Sequence, residues 1–407
     1  MSRAEEILRT GYARLFAAET VFLTGATGSL GGCLLYKLAL QLPTRKVFIL
    51  VRGSDKEAIE KWRRNMPEQS EAIAGSKKVH FVLGDILKAE FGIDPSTLER
   101  LRDEVTLVIH AAANISFAAN ISHAVKNNCL PCLELAQMVS QFRRLRLLIQ
   151  ISTAYVSSFL PDGFVHERLY HLTDDGDAEE ELANILSTGN SPQTARFSSS
   201  YAHAKQIMER LLIQRYPLLP VLIVRPTIFA PSLRDPFPLY GPEDSTPMNK
   251  FARFFFSDRG GTQVWHATEG HRTGANVLDE IPVDLVANAI LLHGAARTKG
   301  IIHLGAELYM RRTFDEFLAE TRNHAPPAVQ RHLPTVVFTE DRSTPQCFLA
   351  ELVRAGTRDW RFDCGKSYWV KQVAGPLSLE VCRQEVEQIT AKRLQEIYRS
   401  NALDSKL

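Results

Sequence analysis

The sequence predicts an α/β protein built on a doubly wound parallel sheet. Three features point there. Short apolar runs alternate with segments of helical period from about residue 20 to residue 305. The runs are too continuously apolar for a sheet with one wet face, so both faces must be covered by helices. A glycine-rich turn opens the first helix of the series.

Taken in order, VFLTG, ATGSLGG, CLLYKLALQL and KVFILV read as strand, turn, amphipathic helix and strand, which is one βαβ unit. A charged helical stretch covers Asp55 to Asn65, followed by the strands VHFVLGD and VTLVIHAAA, the latter ending at Ala113. A helix is expected from about Ile121 to Phe142, then the buried-type strand LRLLIQIS. The polar, acidic passage within about 160–199 reads as a solvated insertion ahead of a helix that begins near Tyr201. The strand VLIVRP returns to the sheet. Beyond Pro231, PSLRDPFPLYGPEDSTP concentrates proline, glycine and acidic residues and reads as a loop over a pocket. The helix IPVDLVANAILLH and the strand IIHLG, within 280–305, are expected to rejoin the core, leaving the tail from Tyr309 as the main part of a smaller lobe. The expected division is a core over 1–235 and a lobe over 236–407.

Composition narrows the function. With 407 residues, 45% hydrophobic and 23% charged, the chain has ample material for a large core. A net charge of +2 supplies no field for gathering nucleic acid or an anionic membrane. Arg3, Glu5 and Glu6 argue against a signal peptide, and Arg225 interrupts the apolar run before Pro231, so no membrane span is expected. Six scattered cysteines fit a reducing compartment, and the Cys129/Cys132 pair, placed in an apolar helical stretch, reads as structural. The final Ser405, Lys406 and Leu407 match a peroxisomal address, so an import receptor is an expected partner and the peroxisomal matrix the expected location.

Gly25, Gly28 and Gly31, with Thr27, Ser29 and Leu30 between and beside them, form the string TGATGSLG between a strand and a helix. Glycine permits the tight turn and close approach of backbone to a pyrophosphate at the helix N-terminus, which is the arrangement of a Rossmann dinucleotide site. Arg52 follows the second strand, where a cation suits a 2′-phosphate and an acid would suit a ribose diol, so NADPH is favoured over NADH. Lys56 and Arg63 are possible helpers, and Asp85, with Ile86 beside it, is expected at the adenine edge.

Tyr201 and Lys205 lie four apart at the start of a helix, on one face, and follow a strand whose C-terminal end carries Ser152 and Thr153. Ligands of open α/β sheets bind at that end of the strands. A free tyrosine is a poor proton exchanger at neutral pH. A neighbouring ammonium and an oxidised nicotinamide would lower its pKa, Lys205 can also hold the nicotinamide ribose, and Thr153 can donate to an oxygen that gains negative charge. Thr153, Tyr201 and Lys205 are therefore the candidate catalytic residues of a hydride-transfer enzyme.

The strings TGATGSLG, ILVRG, VIHAAANISF, ISTAYVSS, YAHAK, VRPTIFAPS and IPVDLVANAI, spread from about Phe16 to Gly305, resemble the extended short-chain dehydrogenases, and within them the fatty acyl-CoA reductase and thioester reductase branch of male sterility proteins. The resemblance implies that Ala112, Pro226 and Ile228 line a nicotinamide pocket and that Asn128 organises the active site. It implies reduction of an acyl thioester by NADPH to a hemithioacetal that collapses to thiol and aldehyde, with a second reduction giving the alcohol. Two departures stand out: Ser29 replaces a phenylalanine common in acyl-CoA reductases, and the tail after Tyr309 does not match their C-terminal domain or membrane anchor. With no adenylation or carrier region, the substrate must arrive activated, an acyl-CoA being the expected form. An alcohol dehydrogenase or ketoreductase would use the same three residues. A nucleotide-sugar epimerase would share the core but recycle NAD, which Arg52 disfavours, and a non-catalytic NADP sensor would not need the catalytic group.

Overall fold

The computed structural model describes residues 2–116, 119–172, 177–241, 246–258, 260–267, 274–341 and 343–404. Its centre is a seven-stranded parallel sheet made of β1 (Thr20–Thr24), β2 (Lys46–Val51), β3 (Val79–Leu83), β4 (Leu107–His110), β5 (Leu147–Ile151), β6 (Val221–Pro226) and β7 (Gly300–Leu304). Their spatial order is β3-β2-β1-β4-β5-β6-β7. The order reverses between β1 and β4, and the crevice beyond the C-terminal ends of those two strands is where this topology receives a ligand.

Every residue of β1 and β5 is buried, which explains their uninterrupted apolar sequences. One sheet face, including Val21, Leu23, Ile49, Ile109 and Val224, packs with Leu34 and Leu38 of the helical segment that follows β1 and with Val286 and Ile290. On the opposite face, Phe22, Phe48, Val108 and Leu148 pack with Leu98, Leu101, Leu135 and Met138.

The helices that place the site are α1 (Ser29–Tyr36), continued by a π-helical turn over Lys37–Gln41, α2 (Asp55–Asn65), α3 (Ile121–Asn128), α4 (Leu130–Val139) and α5 (Ser200–Arg215). The expected single helix over 121–142 is thus two. Pro131 lacks an N–H and its ring cannot pass the carbonyl four residues back, so the chain breaks at Cys129 and restarts with proline in the first turn, where it is tolerated. Further on come α6 (Pro247–Ser257), α7 (Val283–Ala296) and α8 (Arg383–Asp404). No helix among the described residues is long and apolar enough to cross a membrane.

The described residues of the passage expected to be a solvated insertion are mostly exposed or half-buried, but the passage is tied to the body at two places. Gly163–Val165 pairs in parallel with Trp360–Phe362, and the helix Ala178–Thr188 buries Ala178, Leu182 and Ile185 with Ala204, Ile207, Met208 and Leu211 of α5. Its apolar stripe of only three residues was hidden in sequence by Asp177 and Glu179–Glu181, which occupy the cap and first turn where acids favour a helix.

The smaller lobe packs Met248, Phe251 and Phe255 of α6 with Trp265, Phe314, Phe317, Leu394 and Ile397. Within it Glu280 is buried between two arginines, taking Arg393 at 2.8 and 3.0 Å and Arg312 at 3.0 Å. The stretch from Cys364 to Val386 crosses back, and its Val370, Val373, Leu377 and Leu379 join the cluster of the central sheet.

Candidate active site

The glycine turn is shaped by contacts that leave no room for side chains. Gly25 has φ +76°, and a Cβ there would lie 2.6 Å from the Ala112 nitrogen beyond β4. A Cβ on Gly31 would collide with the Gly25 carbonyl oxygen, so the helix can approach its own turn only as glycine. Gly28 caps α1 in extended conformation, and its N–H closes the turn onto Gly25 O at 2.9 Å. Thr27, Ser29 and Leu30 therefore sit where the first N–H groups of a helix meet an incoming anion. The cradle fits a dinucleotide pyrophosphate.

The crevice wall opposite this turn is the loop after β4. Ala112 N–H donates to Thr24 Oγ1 at 3.2 Å, and Thr24 Oγ1 lies 2.7 Å from His110 Nδ1. Burial holds the His110 imidazole at about 3, so the ring is neutral and able to accept the threonine proton. Asn128 at the end of α3 pins the same loop farther on: its Oδ1 accepts the Asn114 N–H at 2.9 Å, and its Nδ2 donates to the carbonyls of Asn114 at 3.0 Å and Ala124 at 3.1 Å. Sequence reasoning missed Thr24 and His110, which read as ordinary strand residues.

At the other end of the crevice, Arg52 is exposed just past β2, beside the start of α2. It has no ion-pair partner among the described residues, whereas Arg63 pairs with Glu71 at 2.8 Å and Glu60 at 3.2 Å. Lys56 is exposed on the first turn of α2. Asp85 is half-buried after β3 with Ile86, and its carboxylate accepts the Leu87 N–H at 3.1 Å.

Thr153 follows β5 and caps the short turn Ala154–Ser157, accepting the Tyr155 N–H at 3.3 Å, so its own hydroxyl proton is left to be donated. Helix α5 packs on that turn. Ser199 caps α5 by accepting the Ala202 N–H at 3.1 Å, which starts the helix one residue before Tyr201. Lys205 is buried with its Nζ donating to Ile151 O at 2.9 Å and lying 5.9 Å from the centre of the Tyr201 ring. Burial lowers its ammonium to about 8.

The Tyr201 phenol is pushed up by burial, against the expected lowering by a neighbouring ammonium. Desolvation wins because Lys205 lies over the ring face rather than against the oxygen. The resting tyrosine is therefore protonated, which is the state required of a proton donor. His203, between the two in sequence, points the other way. It is fully buried, stacks on Phe197 at 4.3 Å and meets Glu181 at 2.7 Å, tying the 178–188 helix to α5.

Pro226 ends β6 in the core, and half-buried Ile228 donates its N–H to Asp279 O at 3.0 Å. The side chain of Asp279 accepts the Ala306 N–H at 2.6 Å and is raised by burial to about 6. The Cys129/Cys132 pair is reduced and buried. Cys132 Sγ donates to Gln150 at 2.9 Å, and burial pushes its thiol up to about 12, so neither a redox pair nor a nucleophile is assembled there. No cluster of potential metal ligands occurs among the described residues.

The arrangement is compatible with hydride transfer: an anion-binding turn follows β1, with Arg52 on one side after β2 and a hydroxyl, a phenol and a buried ammonium on the other, by β5. A family model described as male sterility protein matches residues 23–290, well over half of the chain. A putative fatty acyl-CoA reductase of Drosophila melanogaster is 28% identical over 295 residues, covering 69% of this chain and 52% of the fly protein. Human fatty acyl-CoA reductase 2 is 27% identical over 301 residues, covering 69% and 55%. The chain spans about half the length of these curated relatives. Among solved structures, the terminal R domain from the myxalamid PKS-NRPS biosynthetic pathway shares the fold with a TM-score of 0.65 at 20% identity, covering 96% of this chain and 91% of that one.

Proposed function

We propose, for a chain that belongs to the male sterility protein family, the NADPH-dependent reduction of an acyl thioester, in the first instance an acyl-CoA, to the aldehyde, with the alcohol as product of a second round. The observation that carries this reading is the placement of Thr153, Tyr201 and Lys205 at the C-terminal end of the sheet, beside a glycine turn shaped for a dinucleotide. Relatives named for fatty acyl-CoA reduction support the substrate class.

When bound, the nicotinamide supplies a hydride to the thioester carbon. Thr153 donates a hydrogen bond to the carbonyl oxygen as it gains charge, and Tyr201 gives that oxygen its proton, so that a hemithioacetal forms without a covalent link to the protein. Lys205 would hold the nicotinamide ribose and replenish the Tyr201 proton. Loss of the hydroxyl proton and cleavage of the C–S bond then release aldehyde, with the proton leaving on the thiol. The test is purified protein with NADPH and a panel of acyl-CoA esters, aldehydes and ketones, following nicotinamide absorbance and free thiol together. Thiol release matched to NADPH loss supports the reading; consumption of aldehydes or ketones with no thioester consumed replaces it with a ketoreductase.

The preference for NADPH rests on Arg52, an exposed cation past β2 with no ion-pair partner among the described residues. A charge-assisted contact with a phosphate contributes about 1.5–3 kcal/mol. Arg52→Ala should therefore lower kcat/KM with NADPH about ten- to a hundredfold and leave the value with NADH within threefold. Equal losses with both would remove the 2′-phosphate assignment.

The peroxisomal address belongs to the same reading, since CoA thioesters are abundant in that compartment. Ser405, Lys406 and Leu407 lie outside the described residues and follow directly on α8. Deleting Leu407 should move a fluorescent fusion from puncta to the cytosol, and puncta that persist would refute the address.

A further inference from the structure

The loop from Pro231 to Gly241 is held by four sets of hydrogen bonds, three to the body of the protein and one within the loop. Asp284 of α7 accepts the backbone N–H groups of Leu233, Arg234 and Asp235 at 3.1, 2.9 and 3.2 Å. The Asp235 carboxylate takes Lys37 Nζ at 2.7 Å and Gln41 Nε2 at 3.0 Å, both from the π-helical turn that continues α1. Ser232 closes the loop on itself, accepting the Tyr240 N–H at 3.0 Å and donating to Phe237 O at 2.6 Å. The fourth set is made by Tyr240. Its buried phenol donates to Ser29 O at 3.0 Å and approaches Gly28 O at 3.4 Å.

Those two carbonyls belong to peptide planes whose other ends face the crevice. A peptide is planar, so the Gly28 carbonyl is rigidly coupled to the Ser29 N–H, and the Ser29 carbonyl to the Leu30 N–H. A phenol that fixes both carbonyls fixes the aim of two donors at the N-terminus of α1. Burial raises the Tyr240 phenol, so it remains a donor at any working pH. The second glycine of the pair Gly31-Gly32 has the same explanation: a Cβ on Gly32 would collide with the Tyr240 hydroxyl, so Gly32 is small for the tyrosine and Gly31 for the turn.

We propose that Tyr240 is a positioning residue of the cofactor site, orienting the Ser29 and Leu30 N–H groups toward the dinucleotide pyrophosphate from the loop over 231–241. The inference rests on the reading of the glycine turn as a dinucleotide site and does not depend on which substrate is reduced. The test is equilibrium binding, by fluorescence titration, of NADPH and of adenosine 2′,5′-bisphosphate, which lacks the pyrophosphate.

Tyr240→Phe, which keeps the ring, should weaken NADPH about three- to tenfold, the range expected for one neutral hydrogen bond, and leave the bisphosphate within twofold. Gly32→Ala should weaken NADPH at least as much, and adding Tyr240→Phe to it should restore part of the loss by removing the oxygen the new methyl strikes. Equal weakening of both ligands, unchanged NADPH affinity, or additive losses in the double variant would each overturn the proposal. Wild-type protein that binds no NADPH would instead remove the dinucleotide reading and this proposal with it.

Discussion

Replacing Tyr201 by phenylalanine is expected to reduce turnover by about a hundred- to ten-thousandfold while leaving NADPH affinity within a factor of three. The substitution removes one oxygen from a side chain that makes no hydrogen bond among the described residues, so nothing else in the fold loses a partner. Burial keeps that oxygen protonated, and Lys205, one helical turn on, lies over the ring and is the proposed source of its replacement proton. Without the phenol, the oxygen that receives hydride on its carbon must take its proton from water, while Thr153 and the cofactor turn continue to act. Binding should therefore survive where chemistry fails, and stopped-flow oxidation of NADPH alongside fluorescence titration separates the two. Turnover within threefold of wild type would remove Tyr201 as the acid.

The elements that lead to this prediction were visible in the sequence because each obeys a local rule. The strands are continuously apolar because both faces are covered, and the glycine turn is legible because only glycine survives at Gly25 and Gly31. The pair Tyr201 and Lys205 could be placed because one helix begins at a serine cap just before them. What depends on contacts between distant segments was not legible. Tyr240 lies in a stretch whose proline and glycine content announces only a loop, and its partner residues 28 and 29 are some 200 positions earlier. The Cys364–Val386 stretch has no periodicity that would assign it to the central sheet rather than the lobe, yet its side chains pack there. The helix over 178–188 was masked by the acids that start it. The upward shift of the resting Tyr201 phenol was not legible for a related reason: spacing reports that a lysine is near, but not whether it faces the oxygen or the ring.

Lys205 gives the second large effect, and it has a pH signature with two opposite signs. Lys205→Met should lower kcat at least a hundredfold if, as proposed, the buried ammonium holds the ribose and replaces the Tyr201 proton. In the wild type, burial sets that ammonium at about 8, so kcat/KM should be level below neutrality and fall with a single deprotonation as pH rises through about 8. Stability moves the other way. The folded-state value lies below the ordinary lysine value of 10.5, so near pH 7 both states hold the proton and the native state bears the cost of the buried charge. Between about 8 and 10.5 the unfolded chain binds a proton that the native chain has released, and the contribution of this group to stability rises with pH. Methionine has no such term. Whatever fixed offset comes from losing the bond to Ile151 O, the difference in melting temperature between wild type and Lys205→Met should therefore shift in favour of wild type as pH goes from 7 to 10. An activity profile level to pH 9.5, or a melting difference independent of pH, would show that Lys205 is not a buried ammonium, and the proton path through Tyr201 would need another source.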